Sequence, residues 1–328
     1  MTISEADDRE STFVPHRFEE HTVDLGEIRM NYAVAGDPGA PPLVLVPQQT
    51  ESWWGYEDAM SELLSSFRVH AVDLRGQGRS TWTPGRYTLD VMGGDLVRFL
   101  DLVVASPAIV AGNSSGGVLA AWLGAYAKPG QVRGAVLEDA AVFSSEVSPA
   151  FGQPIRQTLG PVLDLRHTWL GDQWGVGDWQ GLQEALGREL PPWTVMAQEG
   201  MVGRTPADAS PSPDPPQNMR EYDPGWAQAF SSGYATAGCD NERMLAAMRV
   251  PVLFTHHFRA VHEPSSIVVG AVSDQQVQQA GRLVESAGQP FTYASFPTMV
   301  HAMHRRDPAL YARTLLAWAG TLPQRGGV

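Results

Sequence analysis

The stretch Ala108-Ile109-Val110-Ala111-Gly112-Asn113-Ser114-Ser115-Gly116-Gly117-Val118 decides the fold. A short apolar run leads into Gly-x-Ser-x-Gly, and a helix-competent run, Val118 to Tyr126, leaves it. Strand, Gly-x-Ser-x-Gly and helix together make a nucleophile elbow. The chain must reverse sharply there, which strains the backbone at the serine. Glycines two before and two after it, Gly112 and Gly116, let strand and helix approach closely. The Ser114 hydroxyl is then exposed above the sheet edge, and the N–H of Ser115 lies at a helix N-terminus, where a developing anion is favoured. Taking Ser115 as the nucleophile would put Asn113 in place of the first glycine, so Ser114 is preferred.

Working outward, strands alternate with helices. Val23 to Leu25 and Ile28 to Tyr32 flank Gly26-Glu27 as a hairpin. Leu43 to Val46 and Phe67 to Val72 read as buried strands, with a short helix, Tyr56 to Ser65, between them. Tyr87 to Val104 carries Leu89, Met92, Leu96, Phe99, Leu100 and Val103 on one helical face. After the elbow come a strand, Gly134 to Leu137, ending in Glu138-Asp139, and later a strand, Val252 to Thr255. A helix from Asp274 to Ala287, a strand from Phe291 to Phe296 and a helix from Leu310 to Trp318 complete the pattern. The expectation is an α/β fold: a mostly parallel eight-stranded sheet with helices on both faces. Between Phe143 and Met248 the alternation breaks. This stretch carries Trp169, Trp174, Trp179, Trp193 and Trp226 and a proline-rich tract from Pro206 to Pro216, read as a coil on the surface. It is too long for a plain loop. The division is therefore a core of residues 16–142 and 249–324 and an inserted helical lid of residues 143–248.

The 328 residues suffice for one large domain with an insertion, and the net charge of −13 disfavours nucleic acid or an anionic membrane as partner. One cysteine, Cys239, excludes an internal disulfide framework and suits a reducing cytoplasm. The acidic N-terminus lacks a signal-peptide pattern, and no apolar run reaches membrane-spanning length. The expectation is a cytoplasmic protein, with a homodimer or higher homo-oligomer open. Met1 to Pro15 and Arg325 to Val328 read as unstructured ends.

A serine hydroxyl needs a base to take its proton and a carboxylate to orient that base. The chain order should be serine, acid, histidine. Among nine histidines, His301 stands on the loop after the last strand, where such a base belongs; His304 is the runner-up. The commonest place for the acid follows Val252 to Thr255, but that loop reads His256-His257-Phe258-Arg259-Ala260-Val261-His262-Glu263, with only the late Glu263 available. The preceding strand ends in Glu138-Asp139, and Asp139 is preferred. Glu138 is next, because successive strand residues face opposite ways. The oxyanion hole needs two backbone donors: Ser115 N–H and, from the loop after Val46, Gln49 N–H, whose side chain could also meet substrate. Gly76-Gln77-Gly78 reads as a structural turn. His256, His257 and His262 lack ligand spacing for a metal. Cys239 reads as inert. The tryptophans of the insertion, taken as a group, suggest an aromatic-lined pocket.

The AGNSSGG elbow, the DLRGQGRS turn and the VHAMHRRDP stretch resemble the α/β-hydrolase superfamily over nearly the whole chain. Within it the sequence resembles the zearalenone hydrolases, lactonases that open the macrocyclic ester of a fungal oestrogenic toxin, in their longer bacterial type. The resemblance rests on Gly-x-Ser-Ser-Gly, on Val46-Pro47 where others carry His-Gly, on an acid matching Asp139, and on a histidine seven residues before a proline, as His301 stands before Pro308. It implies that Trp226, in Tyr222-Asp223-Pro224-Gly225-Trp226-Ala227, contacts substrate, and that no cofactor is required. Fungal members differ in a glutamate acid, a glycine where Gln49 stands, and shorter lids. The implied activity is opening of a bulky hydrophobic lactone through Ser114, His301 and Asp139. A general carboxylesterase or a carbon–carbon bond hydrolase on the same triad is the alternative, and a non-enzymatic ligand receptor on the same fold is the alternative of another class.

Overall fold

The computed structural model describes residues 15–144, 155–170, 177–203 and 214–323. The terminal segments, Trp174 and most of the proline tract lie outside the described residues. The strands are β1 (Glu20–Asp24), β2 (Arg29–Ala35), β3 (Pro42–Val46), β4 (Arg68–Val72), β5 (Ala108–Asn113), β6 (Val132–Glu138), β7 (Val252–His256), β8 (Arg259–His262), β9 (Ile267–Gly270) and β10 (Phe291–Ser295). Eight of them form one sheet in the order β1-β2-β4-β3-β5-β6-β7-β10. β1–β2 and β2–β4 are antiparallel; β4, β3, β5, β6, β7 and β10 are mutually parallel.

Strand periodicity divides the core into two. Val44, Val46, Val110 and Leu137 belong to one apolar cluster, while Leu43, Leu45, Ile109 and Val136 belong to another. Alternate residues point to opposite faces, so each face needs its own helical cover. On one face lie α2 (Leu89–Phe99) and α3 (Ser115–Tyr126); on the other lie α1 (Glu57–Leu63) and the last helix, Pro308–Ala319. The helix α2 starts on a Thr88 cap and continues as a π-turn to Val104, stopping at Ala105 in the left-handed region. The turn after β4 is held by the bidentate Arg75–Asp95 pair, at 2.7 and 2.8 Å. This agrees with a structural reading of the glycines there.

Between β6 and β7 the chain forms α4 (Ile155–Leu170), α5 (Trp179–Arg188), α6 (Pro192–Val202), α7 (Pro224–Ser231) and α8 (Asn241–Ala246). After β9 come α9 (Asp274–Ser286), which opens on a Ser273–Gln276 capping box, and α10 (Pro308–Ala319). The small antiparallel hairpin β8–β9 was not anticipated. Its strands are four residues each and lack a clean polar–apolar alternation, so the local signal is weak.

The ends of β3, β5, β6, β7 and β10 lie side by side, which brings the loops after them together. In open parallel sheets ligands bind in that position. The site residues read from the sequence all come from these loops and from the segment between β6 and β7.

Candidate active site

The elbow has the geometry its residues demand. Ser114 lies between β5 and α3 with φ 54°, a left-handed conformation that costs a non-glycine residue energy and is held by its surroundings. A Cβ on Gly112 would sit 2.2 Å from the carbonyl oxygen of Gly116, and one on Gly116 would sit 2.3 Å from that of Val46. Both positions therefore require glycine for backbone approach. The Ser114 N–H donates to the carbonyl of Glu138 at 2.9 Å, tying the elbow to the end of β6.

The structure brings Asp139 and His301 together. His301 Nδ1 lies 2.6 Å from Asp139 Oδ2. The other carboxylate oxygen, Oδ1, accepts the backbone N–H of His257 at 2.9 Å. Burial works against the ionised form of Asp139. The neighbouring His257 and the hydrogen bond from His301 outweigh it, and the carboxyl titrates below its ordinary range. The His301 backbone is fixed on two sides. Its N–H donates to the Met201 carbonyl at 2.8 Å, and its carbonyl accepts from Asn113 Nδ2 at 2.9 Å. With Nδ1 engaged by Asp139, Nε2 is the nitrogen left for chemistry. Ser114 and His301 are both slightly exposed and line one cavity. Glu263 is exposed in the β8–β9 turn and bonds to neither histidine of this region.

Gln49 takes an arrangement that the sequence did not suggest. Its N–H donates to Ser115 Oγ at 3.1 Å. Its side-chain Nε2 donates to Tyr222 Oη at 2.7 Å and to the Trp226 carbonyl at 3.1 Å. The Gln49 N–H and the Ser115 hydroxyl thus meet at the start of α3, next to Ser114.

The cavity over Ser114 has a volume of about 130 Å³. Its wall is the face of α4 that carries Ile155, Leu159, Val162 and Leu163, with Arg166 one turn further on. Met201 and Phe230 contribute from α6 and α7. An aromatic-lined pocket was expected from the tryptophans as a group; of these, none of the described ones lines this cavity, and each packs elsewhere. Trp169 and Trp179 pack with Leu170, Leu182 and Met219 in a separate cluster, and Trp193 packs edge-on to His262. Trp169 and Trp179 find apolar surface inside the helical segment itself, and among the described residues Phe230 is the aromatic side chain on the cavity wall beside aliphatic ones.

Residues 41–179 match the family model described as the alpha/beta hydrolase fold. Over 104 residues, 31% of this chain, the sequence is 34% identical to epoxide hydrolase 4 of Mus musculus, and the matched stretch spans only 29% of that relative's length. The esterase RhEst1 from Rhodococcus sp. ECU1013 superposes with a TM-score of 0.64 at 19% identity, covering 94% of this chain and 100% of that one. The enol-lactonase from Burkholderia xenovorans LB400 superposes with a TM-score of 0.63 at 17% identity, covering 92% of this chain and 100% of the other. The strand order, the elbow and these matches agree. The chain has the α/β-hydrolase fold.

In this fold the two runner-up residues, Glu138 and His304, are paired with each other. Asp139 faces His301, while Glu138 faces the opposite way, as strand alternation requires. His304 Nδ1 lies 2.8 Å from Glu138 Oε2, and its Nε2 lies 3.3 Å from Glu51 Oε2. Arg305 reaches Glu51 Oε1 at 3.0 Å, and the Tyr56 ring stacks on His304 at 4.0 Å. Burial disfavours the charged imidazole, but Glu138 and Glu51 more than offset it, and the His304 pKa rises to about 9. Because this value lies above the unfolded one, near ~6.5, the stabilisation is full below that pH and is lost as pH rises through about 9. The wild-type melting temperature should therefore fall between neutral pH and pH ~9.5, with a smaller fall in His304→Gln. Glu138→Gln should cost about 3–5 kcal/mol by leaving the imidazolium half-paired.

Trp226 is 1% exposed and does not line the main cavity. Its ring lies in an adjoining apolar space bounded by Ser115, Phe230, Leu89 and Met92, and its Nε1 has no hydrogen-bond partner among the described residues. Trp226→Ala is expected to lower stability by about 3–5 kcal/mol by opening a void. It should depress turnover of bulky lactones more than that of small activated esters, because the void abuts Ser115. Equal losses on both would leave the residue a packing role alone.

The histidines of the β7–β8 loop diverge. His256 contacts Tyr293 Oη and the Val272 carbonyl, His257 contacts Thr255 Oγ1 and the Val300 and His301 carbonyls, and His262 contacts Ser265 Oγ. Among the described residues no three metal-ligating side chains are gathered, and no helix is long and apolar enough to cross a membrane. Cys239 is buried against Met244, 3.6 Å between sulfurs. The sequence reading missed Arg166. The available signal was a cation on the same helical stripe as Ile155, Leu159 and Val162.

Proposed function

We propose that this α/β-hydrolase is a serine hydrolase of carboxylic esters and lactones. The observation that carries the reading is the 2.6 Å pairing of His301 with a buried, ionised Asp139 beside a serine at φ 54° that opens to the same cavity. In this mechanism Ser114 Oγ attacks the ester carbonyl carbon and its proton passes to His301 Nε2. The tetrahedral oxyanion is taken by the N–H groups of Ser115 and Gln49, once the Ser115 hydroxyl turns aside. Collapse breaks the acyl–oxygen bond, and the alkoxide leaves with the proton from His301. Water, deprotonated by His301, then attacks the acyl-enzyme and returns free Ser114. For a lactone the alcohol remains tethered to the acyl group, so it must swing clear before water attacks.

The finer proposal is that the substrate is a hydrophobic macrocyclic lactone of the zearalenone type, with residues 143–248 acting as the lid. The resemblance at the elbow and at Val46-Pro47 supports it. The cavity of about 130 Å³ is smaller than the ~300–1,000 Å³ of sites for drug-sized ligands. A macrocycle therefore needs more room over Ser114 than this cavity offers. Epoxide opening is disfavoured on chemical grounds. Serine attack on an epoxide would leave an ether on the enzyme, which water activated by an imidazole does not cleave, whereas an acyl ester turns over. The test is incubation with zearalenone and with p-nitrophenyl esters, following products by mass and absorbance. Steady multiple turnover is expected; a single stoichiometric event would favour a ligand receptor on this fold.

A further inference from the structure

Among the described residues, Arg166 is the one arginine or lysine that lines the cavity, and no aspartate or glutamate of the described residues lines it. It sits on the cavity-facing stripe of α4, in register with Ile155, Leu159, Val162 and Leu163 at helical spacing. Several other cations of this protein are held by carboxylates. Arg75 pairs with Asp95, Arg259 with Asp274, and Arg305 with Glu51. Arg166 makes no salt bridge among the described residues, and the polar group it senses is the hydroxyl of Tyr222. That hydroxyl is bonded to Gln49, so the guanidinium lies near the oxyanion loop. Desolvation pulls the Arg166 pKa below its ordinary value, and the Tyr222 hydroxyl opposes this only in part. A half-buried guanidinium beside an aliphatic wall, with no salt bridge among the described residues, is incompletely solvated, and an arriving anion would offset that.

We infer that Arg166 is a specificity residue: it selects esters and lactones that carry an anionic oxygen group, a carboxylate or an acidic phenolate, on the part of the substrate that lies along α4. The inference rests on the hydrolase reading and deepens it. The planar fork of arginine suits a two-oxygen acceptor, and the aliphatic stripe between Arg166 and Ser114 accommodates a hydrocarbon spacer. Gln198, also on the cavity wall, adds an uncharged donor.

The test compares kcat/KM for the p-nitrophenyl monoester of adipic acid with that for p-nitrophenyl hexanoate. A second pair, phenyl 4-hydroxybenzoate and phenyl 4-methoxybenzoate, is measured above the phenol pKa, so that the two arms separate carboxylate from phenolate. Arg166→Met should lower the anionic-to-neutral ratio by about 10- to 100-fold in the arm that matches the natural substrate. Arg166→Lys should keep part of that ratio because the charge remains. A ratio unchanged by Arg166→Met in both arms overturns the inference while leaving Ser114-dependent hydrolysis of the neutral esters intact. Absence of Ser114-dependent turnover on every ester overturns the hydrolase reading instead. In that event calorimetry of monomethyl adipate and of 4-hydroxybenzoate with Ser114→Ala and with Ser114→Ala/Arg166→Met still decides. Binding of either that weakens about 10-fold or more without Arg166 supports the anion site. Equal or absent binding in both proteins refutes it.

Discussion

Ser114→Ala is expected to reduce turnover of any ester or lactone substrate by about a millionfold. The size follows from what one hydroxyl does at this position. Removing it leaves the Asp139–His301 pair, the Ser115 N–H and the cavity in place, but no atom that can form the acyl-enzyme. What remains is transition-state solvation by the backbone donors, which is small beside covalent catalysis. The backbone conformation at φ 54° is as strained for alanine as for serine, so the fold and the melting temperature should change little. The neighbouring Ser115 makes this a sharp test. Its hydroxyl is also near the cavity and accepts the Gln49 N–H at 3.1 Å. A fluorophosphonate adduct mapped by mass spectrometry should fall on residue 114 and vanish in Ser114→Ala. An adduct on residue 115, or full turnover by the alanine variant, would overturn the assignment.

The fold was largely legible because its evidence is local. A strand, two glycines around a serine and a helix leave little choice of backbone path, and the alternation of apolar runs with amphipathic helices fixes a parallel sheet. The choice between Glu138 and Asp139 was legible in part: alternation says that one residue faces each way, but not which way. The structure places Asp139 against His301 and Glu138 against His304, so the two adjacent carboxylates serve different histidines. Less legible were features set by distant parts of the chain meeting. The pairing of Glu51 with His304 joins residues 253 positions apart. Gln49 reaches Tyr222 and Trp226 across 173 and 177 positions, and no pattern in either segment announces it. The tryptophans misled because composition says that an indole will be buried without saying against what. Arg166 shows the reverse case. It breaks an apolar stripe, and such a break is visible in the sequence once the helix register is known.

Asp139→Asn should reduce kcat by about ten-thousandfold while leaving the folded structure intact. The amide is nearly the same size as the carboxylate, so the argument turns on hydrogens. Oδ1 of Asp139 accepts the backbone N–H of His257 at 2.9 Å, and Oδ2 faces Nδ1 of His301 at 2.6 Å. The asparagine must keep its oxygen toward the His257 N–H, since the reverse orientation would set two donors against each other in a buried place. Its NH2 then points at His301 Nδ1, which must become an acceptor. The ring proton moves to Nε2, and the nitrogen facing the serine can no longer take a proton. The imidazolium that forms during reaction also loses its counter-charge. Glu138→Gln provides the contrast, because that carboxylate lies on the other face of the strand against His304. It should lower the melting temperature first and reduce kcat far less. A mild effect on kcat at residue 139, together with a severe one at residue 138 or 263, would move the acid elsewhere.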